Sequence, residues 1–310
     1  MDYTTLGQTG QRVSVMGLGC GGHSRLGQSY GNSEHESVEI VHAALGQGIT
    51  FFDTAEGYGT EGILGKGLAQ EPREEVVIST KMSPTAGGRL VPRARVREAL
   101  EGSLRRLRTD YVDVYHLHGL RLPHYDAAVA ELVPEMVRLR EQGKLRFIGV
   151  TEVFASDPGH TMLQRAVQDE WWEVIMVGFN LLNQSARERV LATTRPKGIG
   201  VLNMFAVRRA LSDPASLSEV LADLSGRGLV PEETAEMLAS LVRDGGATSL
   251  QDAAYRFCRA EPGIDVVLSG TGKQAHLESN VASLCRPPLR PEHAARLRAL
   301  FAKVDDVSGN

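Results

Sequence analysis

The 310-residue chain has few cysteines: Cys20, Cys258 and Cys285, an odd number set far apart. None stands at the short paired spacings of a disulfide framework or a zinc site, so both are excluded and buried thiols in a reducing compartment are expected. Long apolar runs are missing as well. No stretch approaches the roughly 18 apolar residues that a membrane helix needs, and the opening MDYTTLGQTGQRVSV has no basic region ahead of an apolar one. A cytoplasmic protein without membrane contact is therefore expected. Charge of one sign is also scarce: the net charge is -4, and no Lys/Arg cluster is dense enough to follow nucleic acid. A small neutral or polar molecule is the expected partner. There is no low-complexity tract, and with 42% hydrophobic residues the chain can bury one large core, so a single domain over 1–310 is expected. Composition does not bear on oligomeric state.

What the sequence does contain is an alternation of short apolar runs with longer amphipathic stretches, the signature of strand and crossover-helix units on a parallel sheet. Eight strands are expected at 13–19, 49–53, 75–80, 111–118, 145–151, 173–179, 198–204 and 264–270. The helical stretch SEHESVEIVHAALGQG opens with Ser33 three residues before Glu36, a capping-box spacing, and ends at glycine. Eight units on this length predict an α/β fold, a (β/α)8 TIM barrel with its chemistry at the carboxyl ends of the strands. YTTLGQTGQRVSV, with two extended pieces around a turn, predicts an N-terminal β-hairpin plugging the barrel bottom. The stretch 205–247 is too long for a loop and carries helical patterns, so a helical insertion after strand seven is expected, forming a partial lid over the mouth. PEHAARLRALFAKV reads as a final outer helix.

On that frame Asp53, Tyr58, Lys81 and His118 all fall at, or just past, the carboxyl ends of neighbouring strands. Singly, an acid caps a helix, a tyrosine packs and a lysine reaches solvent. Together on the catalytic face they suit proton donation to a carbonyl oxygen while hydride reaches its carbon. A nearby ammonium favours the phenolate of a tyrosine and brings the phenol toward its working range. Lys81 supplies that charge, Asp53 holds Lys81 protonated, and His118 orients the substrate oxygen.

The segments FFDTAEGYG, ISTKM, DYVDVYHLH, IGVT, FNLLNQ, GIGV and VLSGTGKQAHLESN, in this order, make the chain resemble the aldo-keto reductase superfamily over nearly its whole length. The resemblance implies reduction of an aldehyde or ketone with NADPH, NAD being the alternative, bound across the barrel mouth without a Rossmann fold. It implies a catalytic tetrad of Asp53, Tyr58, Lys81 and His118, with His116 a packed, hydrogen-bonded residue one layer deeper. The family commonly holds the nicotinamide carboxamide with a serine and an asparagine after strand five and a glutamine on strand six. Thr151, Glu152 and Met176 stand there, and Glu152 can accept from the amide but not donate when ionised. Met204, with Phe205 beside it, takes the place of the ring-stacking aromatic. For the phosphate end, Gly270 and Thr271 offer backbone N–H groups and Lys273 and His276 replace the usual base, with Asn280 at the adenine position. Arg208 and Arg209 are candidates for the pyrophosphate or are solvated.

Four other readings fit parts of the sequence. GLGCGG, residues 17–22, matches the dinucleotide-binding glycine pattern, but a polar loop follows it instead of a helix and Asp53 lies too far on, so its glycines are read as allowing close approach of the first loop. HLH suggests a metal pair, but the later strands end in GVT, VGF, LNM and LSG with Glu152 the one further candidate, so no metal is expected. A cofactor-binding regulatory barrel without turnover, or an aldose dehydrogenase running the same chemistry in reverse, remain alternatives. Specificity rests on loops without a motif for any one substrate, a carbonyl compound or a sugar being equally compatible.

Overall fold

Strands such as Phe51–Asp53 and Val77–Met82 are buried at every position, the condition of parallel strands covered on both faces. The computed structural model describes residues 1–244 and 246–310; Gly245, inside the 205–247 insertion, lies outside the described residues. Eight parallel strands close into a barrel: β1 (Met16–Gly19), β2 (Phe51–Asp53), β3 (Val77–Met82), β4 (Val112–Leu117), β5 (Leu145–Thr151), β6 (Val174–Gly178), β7 (Gly200–Met204) and β8 (Val266–Ser269). Each pairs with its sequence neighbours, and β8 returns to β1 through Val267 opposite Met16. The expected α/β (β/α)8 barrel is the fold.

The two-residue period of the strands sorts side chains into two cores. Phe51, Val77, Val114, Val174, Met176, Leu202 and Val266 fill the barrel interior. Phe52, Ile78, Tyr115, Ile175 and Val201, their neighbours in sequence, belong to the core between barrel and helices. That ring is built by α1 (Glu34–Gly46), α2 (Glu61–Gly67), α3 (Ala94–Leu107), α4 (Tyr125–Glu131), α5 (Val133–Glu141), α6 (Thr161–Ala166) and α7 (Ala192–Lys197). The expected capping box opens α1: Ser33 Oγ accepts from Glu36 N and Glu36 Oε2 accepts from Ser33 N.

The strand expected over 13–19 is two. Arg12–Ser14 pairs antiparallel with Tyr3–Thr5 as the N-terminal hairpin, and β1 begins at Met16. The ladder breaks at Val15, where Ser14 Oγ reaches forward to donate to the Met16 carbonyl and Val15 N donates to the Asp2 carbonyl. Leu6 and Val13 of the hairpin join the interior core and so close the barrel bottom. Gly7 presses so close to β7 that a Cβ there would lie 2.3 Å from Gly200 N.

After β7 come α8 (Arg209–Ser212), α9 (Pro214–Gly226) and α10 (Thr234–Arg243), then the ring helix α11 (Leu250–Arg259), and after β8 α12 (Gln274–Cys285) and α13 (Pro291–Leu300). The insertion is held by Gln251 of α11, which donates to the Leu211 carbonyl, and by the tail, through Ala210 N to Gly309 and an Arg227–Asp306 ion pair. These contacts dock the insertion on α11 and on the C-terminal tail. Among the described residues no helix is long and apolar enough to cross a membrane.

Candidate active site

β3 points Val77, Ser79 and Lys81 into the barrel, and Lys81, expected just past the strand, lies inside it one layer below the rim. Its side chain is fully buried, and its Nζ donates to Asp53 Oδ1 (2.8 Å), Asp53 Oδ2 (2.7 Å) and the Thr54 carbonyl oxygen (2.7 Å). Asp53 ends β2 beside it and also accepts from Ser79 Oγ at 2.8 Å. Burial pushes the Asp53 carboxyl up and works against the charge of Lys81; the facing charges of Lys81 and Ser79's hydroxyl hold the carboxyl down, but burial prevails. For Lys81 the balance runs the other way: burial alone disfavours its charge, yet Asp53 carries its pKa above the usual value. The pair is an ammonium and a carboxylate kept from water.

Above it Tyr58 and His118 reach the rim, each partly exposed. Tyr58 Oη and His118 Nε2 are 3.3 Å apart, with their rings edge to face at 87°. Lys81 Nζ lies 5.1 Å from the centre of the Tyr58 ring. The turn Glu56–Tyr58 places the phenol, Arg25 Nε donates to the Tyr58 carbonyl at 2.8 Å, and the ring rests on Gly21, where a Cβ would stand 2.2 Å from it. The pattern GLGCGG thus contributes the glycine that makes room for the phenol. Burial raises the Tyr58 pKa above 10, with Lys81 pulling against it, so the expected net lowering by the ammonium is outweighed in the free protein. Burial, and then Lys81, lower the His118 imidazole to about 3, so it is neutral. His116 lies one layer deeper, fully buried, with Nε2 3.1 Å from Ser79 Oγ. The four expected catalytic residues are therefore together.

The expected cofactor residues divide. Thr151 ends β5 and its Oγ1 accepts from Gly119 N at 2.8 Å, which leaves its own proton to give. Glu152 does not face the mouth. Its carboxylate accepts from Gly178 N (2.8 Å) and His160 Nδ1 (3.0 Å), and its side chain is sealed, so the expected acceptor for a carboxamide is spent inside the protein. The reason is local: Gly178 gives up its side-chain space to the Phe154 ring, and His160, at φ 61°, stacks on Phe154 at 5.4 Å. Met176 is buried in the barrel interior, with Met204 packed against the same core. Phe205, at φ 66°, turns its ring onto Phe154, and Arg208 covers the other ring partner at 3.8 Å from the Phe205 centre.

At the β8 end, Gly270 approaches β1 so closely that a Cβ would lie 2.8 Å from the Gly19 carbonyl oxygen, and Gly272 lies against Gly27. Thr271 Oγ1 accepts from Lys273 N at the start of α12, while Lys273 and His276 are exposed. Asn280 Nδ2 donates to Ser269 Oγ, itself 2.9 Å from Tyr255 Oη. Arg208 is half-buried, makes one hydrogen bond to Asn310, and its Nη1 has no partner among the described residues. Burial lowers its pKa with no acid to offset it. A buried guanidinium N–H without an acceptor, in the loop after β7, the strand neighbouring β8, fits an anionic ligand spanning the two loop ends. Sequence reasoning missed Ser79, His160 and Arg25. Ser79 was findable, two residues before Lys81 and so on the same strand face; the other two arrive from loops with no periodic signal. Among the described residues no three His, Cys, Asp or Glu side chains gather to hold an ion.

Comparison with known proteins adds to this geometry. The sequence pattern of the Aldo/keto reductase family matches residues 17–302. The chain is 30% identical over 291 residues to L-galactose dehydrogenase of Arabidopsis thaliana, covering 92% of this chain and 88% of that protein. It is 31% identical over 300 residues to an aldo-keto reductase of Bacillus subtilis, covering 90% and 87%. Among solved structures, the holo form of an aldo-keto reductase from Bacillus halodurans superposes with a TM-score of 0.75 at 24% identity, over 97% of this chain and 96% of that one.

Proposed function

Because the chain belongs to the aldo/keto reductase family and is an NAD(P)H-dependent oxidoreductase, we propose that it reduces an aldehyde or ketone to an alcohol with NADPH, Tyr58 acting as general acid. The observation that carries this reading is the Tyr58–His118 pair standing at the rim directly above a dry Asp53–Lys81 ion pair.

Each residue's part follows from its surroundings. Burial keeps the Tyr58 phenol protonated at neutral pH, the form an acid must start from. Lys81, charged because Asp53 holds it so, favours the phenolate that remains once the proton has left. His118 is neutral and so brings no competing charge; with its proton on Nε2 it donates to the oxygen lying beside Tyr58 and shares the negative charge developing there. In the opposite direction the same phenolate takes a proton from a hydroxyl. When bound, the nicotinamide supplies or receives the hydride. Thr151 Oγ1, with its free proton, is the residue for the carboxamide, and Arg208, Lys273 and His276 are those for the phosphates. Lys273 and His276 carry the preference for NADPH over NADH.

A second reading has one specific support, the 30% identity to a sugar dehydrogenase: oxidation of an aldose at its hemiacetal carbon. A spectrophotometric screen of aldehydes, ketones and aldoses with both cofactors in both oxidation states separates the two. Turnover of carbonyl compounds with NADPH, abolished in Tyr58→Phe, is the expected result. Turnover confined to aldoses with NAD or NADP selects the second reading, and cofactor binding with no turnover of any of them selects a regulatory barrel.

A further inference from the structure

Below the tetrad the barrel carries a polar chain. From Lys81 it runs to Asp53, from Asp53 Oδ1 to Ser79 Oγ at 2.8 Å, and from Ser79 Oγ to His116 Nε2 at 3.1 Å, with all four residues buried. Chemistry fixes its direction. A carboxylate paired with an ammonium only accepts, so Ser79 spends its one proton on Asp53. The Ser79 oxygen then needs a donor, and His116 supplies one only with its proton on Nε2. The other nitrogen, Nδ1, makes no hydrogen bond of ordinary geometry among the described residues, although the Val150 carbonyl lies near enough to the ring to favour its protonated form, and Nδ1 sits above Gly149, where a Cβ would lie 2.3 Å away. A bare ring nitrogen sits there at less cost than an unpaired N–H. The ring is neutral, because burial and Lys81 push its pKa well below the usual value.

We propose that Ser79 and His116 are positioning residues for the reaction: His116 Nε2–H locks the Ser79 hydroxyl with its proton on Asp53 Oδ1, which keeps the carboxylate charged and Lys81 standing as an ammonium under Tyr58. The proposal rests on the reading of Tyr58 as the acid. Neither residue touches substrate or cofactor; both act through Asp53. The titratable groups facing Asp53 are Lys81 from β3, Tyr58 from the turn after β2 and Cys20 from the end of β1, with His118 beyond Lys81. Ser79 is the one arm of Asp53 that can be removed without removing a charge.

The test compares Ser79→Ala and His116→Leu with Ser79→Thr, which keeps the hydroxyl, and His116→Gln, which keeps an N–H where Nε2 stands. Log kcat/KM is measured against pH on the full-length protein, and the His116 ring nitrogens are read by ¹⁵N NMR in the free protein. The acid limb is expected to move up by about one pH unit in Ser79→Ala and His116→Leu, the size of one hydrogen bond to a carboxylate. It should return in Ser79→Thr and His116→Gln, and the wild-type spectrum should show the proton on Nε2. An unmoved limb in a folded Ser79→Ala protein, or a wild-type His116 protonated on Nδ1, overturns the proposal. Because the NMR arm needs no turnover, a protein that reduces nothing yet shows the Nε2 proton would sink the functional reading and leave the hydrogen-bond chain standing.

Discussion

Lys81 Nζ lies 2.8 and 2.7 Å from the two carboxylate oxygens of Asp53 and 2.7 Å from the Thr54 carbonyl oxygen. The two carboxylate oxygens sit too close together to take separate ammonium protons, so Lys81, 5.1 Å from the Tyr58 ring centre, favours the phenolate by its charge and by hydrogen bonding, while Tyr58 Oη also stands 3.3 Å from His118 Nε2. Asp53 and Thr54 hold the amine in place, and the residues that meet a ligand are the two partly exposed ones, Tyr58 and His118.

Tyr58→Phe removes the proton donor and leaves the packing on Gly21 intact. A fall in kcat of about 10²- to 10⁴-fold is expected, with cofactor affinity by fluorescence titration within about threefold of wild type. Steady-state kinetics on the best substrate of the screen checks it, and retention of more than a tenth of the activity would rule out Tyr58 as the acid.

The buried pair should show a strong asymmetry between single and double changes. Lys81→Met alone strands a buried carboxylate, and Asp53→Leu alone strands a buried ammonium; each is expected to cost about 3–5 kcal/mol in urea unfolding. The double variant should recover most of that loss, since two apolar side chains leave no charge in the barrel. Losses that simply add would mean the two sites do not share one desolvated pair.

Acid should weaken the fold through His118. Its imidazole titrates at about 3 in the folded protein against the ordinary 6.5. Between those values the unfolded chain binds the extra proton, so stability is full above about 6.5 and is lost as pH falls toward 3. His116, pushed down for the same reason, adds to the slope. Melting temperatures from pH 8 to 4 should fall, and less steeply in His118→Asn. A wild-type profile no steeper than the variant's counts against an imidazole held neutral in the folded protein.

Cofactor binding should ignore Glu152 and depend on the β7 and β8 loops. Glu152→Ala, which strands His160 and the Gly178 N–H, is expected to lower stability by about 3 kcal/mol with the affinity for cofactor unchanged within about threefold. Arg208→Ala should weaken both cofactors about tenfold. Lys273→Ala should weaken NADPH and not NADH. Calorimetric titration measures all three; equal losses of NADPH and NADH in Lys273→Ala would remove that residue from the 2'-phosphate.

Much of this could be read along the chain. The period of two in VDVYHLH put His116 and His118 on one face, and the recurring strand and helix pattern left the closed barrel as the fold to expect. Asp53 at the end of β2 and its partnership with Lys81 follow from adjacent strands pairing in register, as Asp53 and Ser79 do. Local signals such as the Ser33–Glu36 box needed nothing beyond four residues.

What the sequence could not decide were the contacts made by loops across the rim and by burial. Glu152 reads as a free acid beside a strand end, yet a histidine eight residues on and a backbone N–H from β6 claim it, because a carboxylate shut away from water must find donors wherever the fold brings them. The net rise of the Tyr58 pKa has the same origin: Lys81 is close, but the depth at which the phenol sits is a property of the closed barrel. Strand periodicity is local and survives in a string of letters; solvent exclusion is collective, and exists only once the eight strands have met.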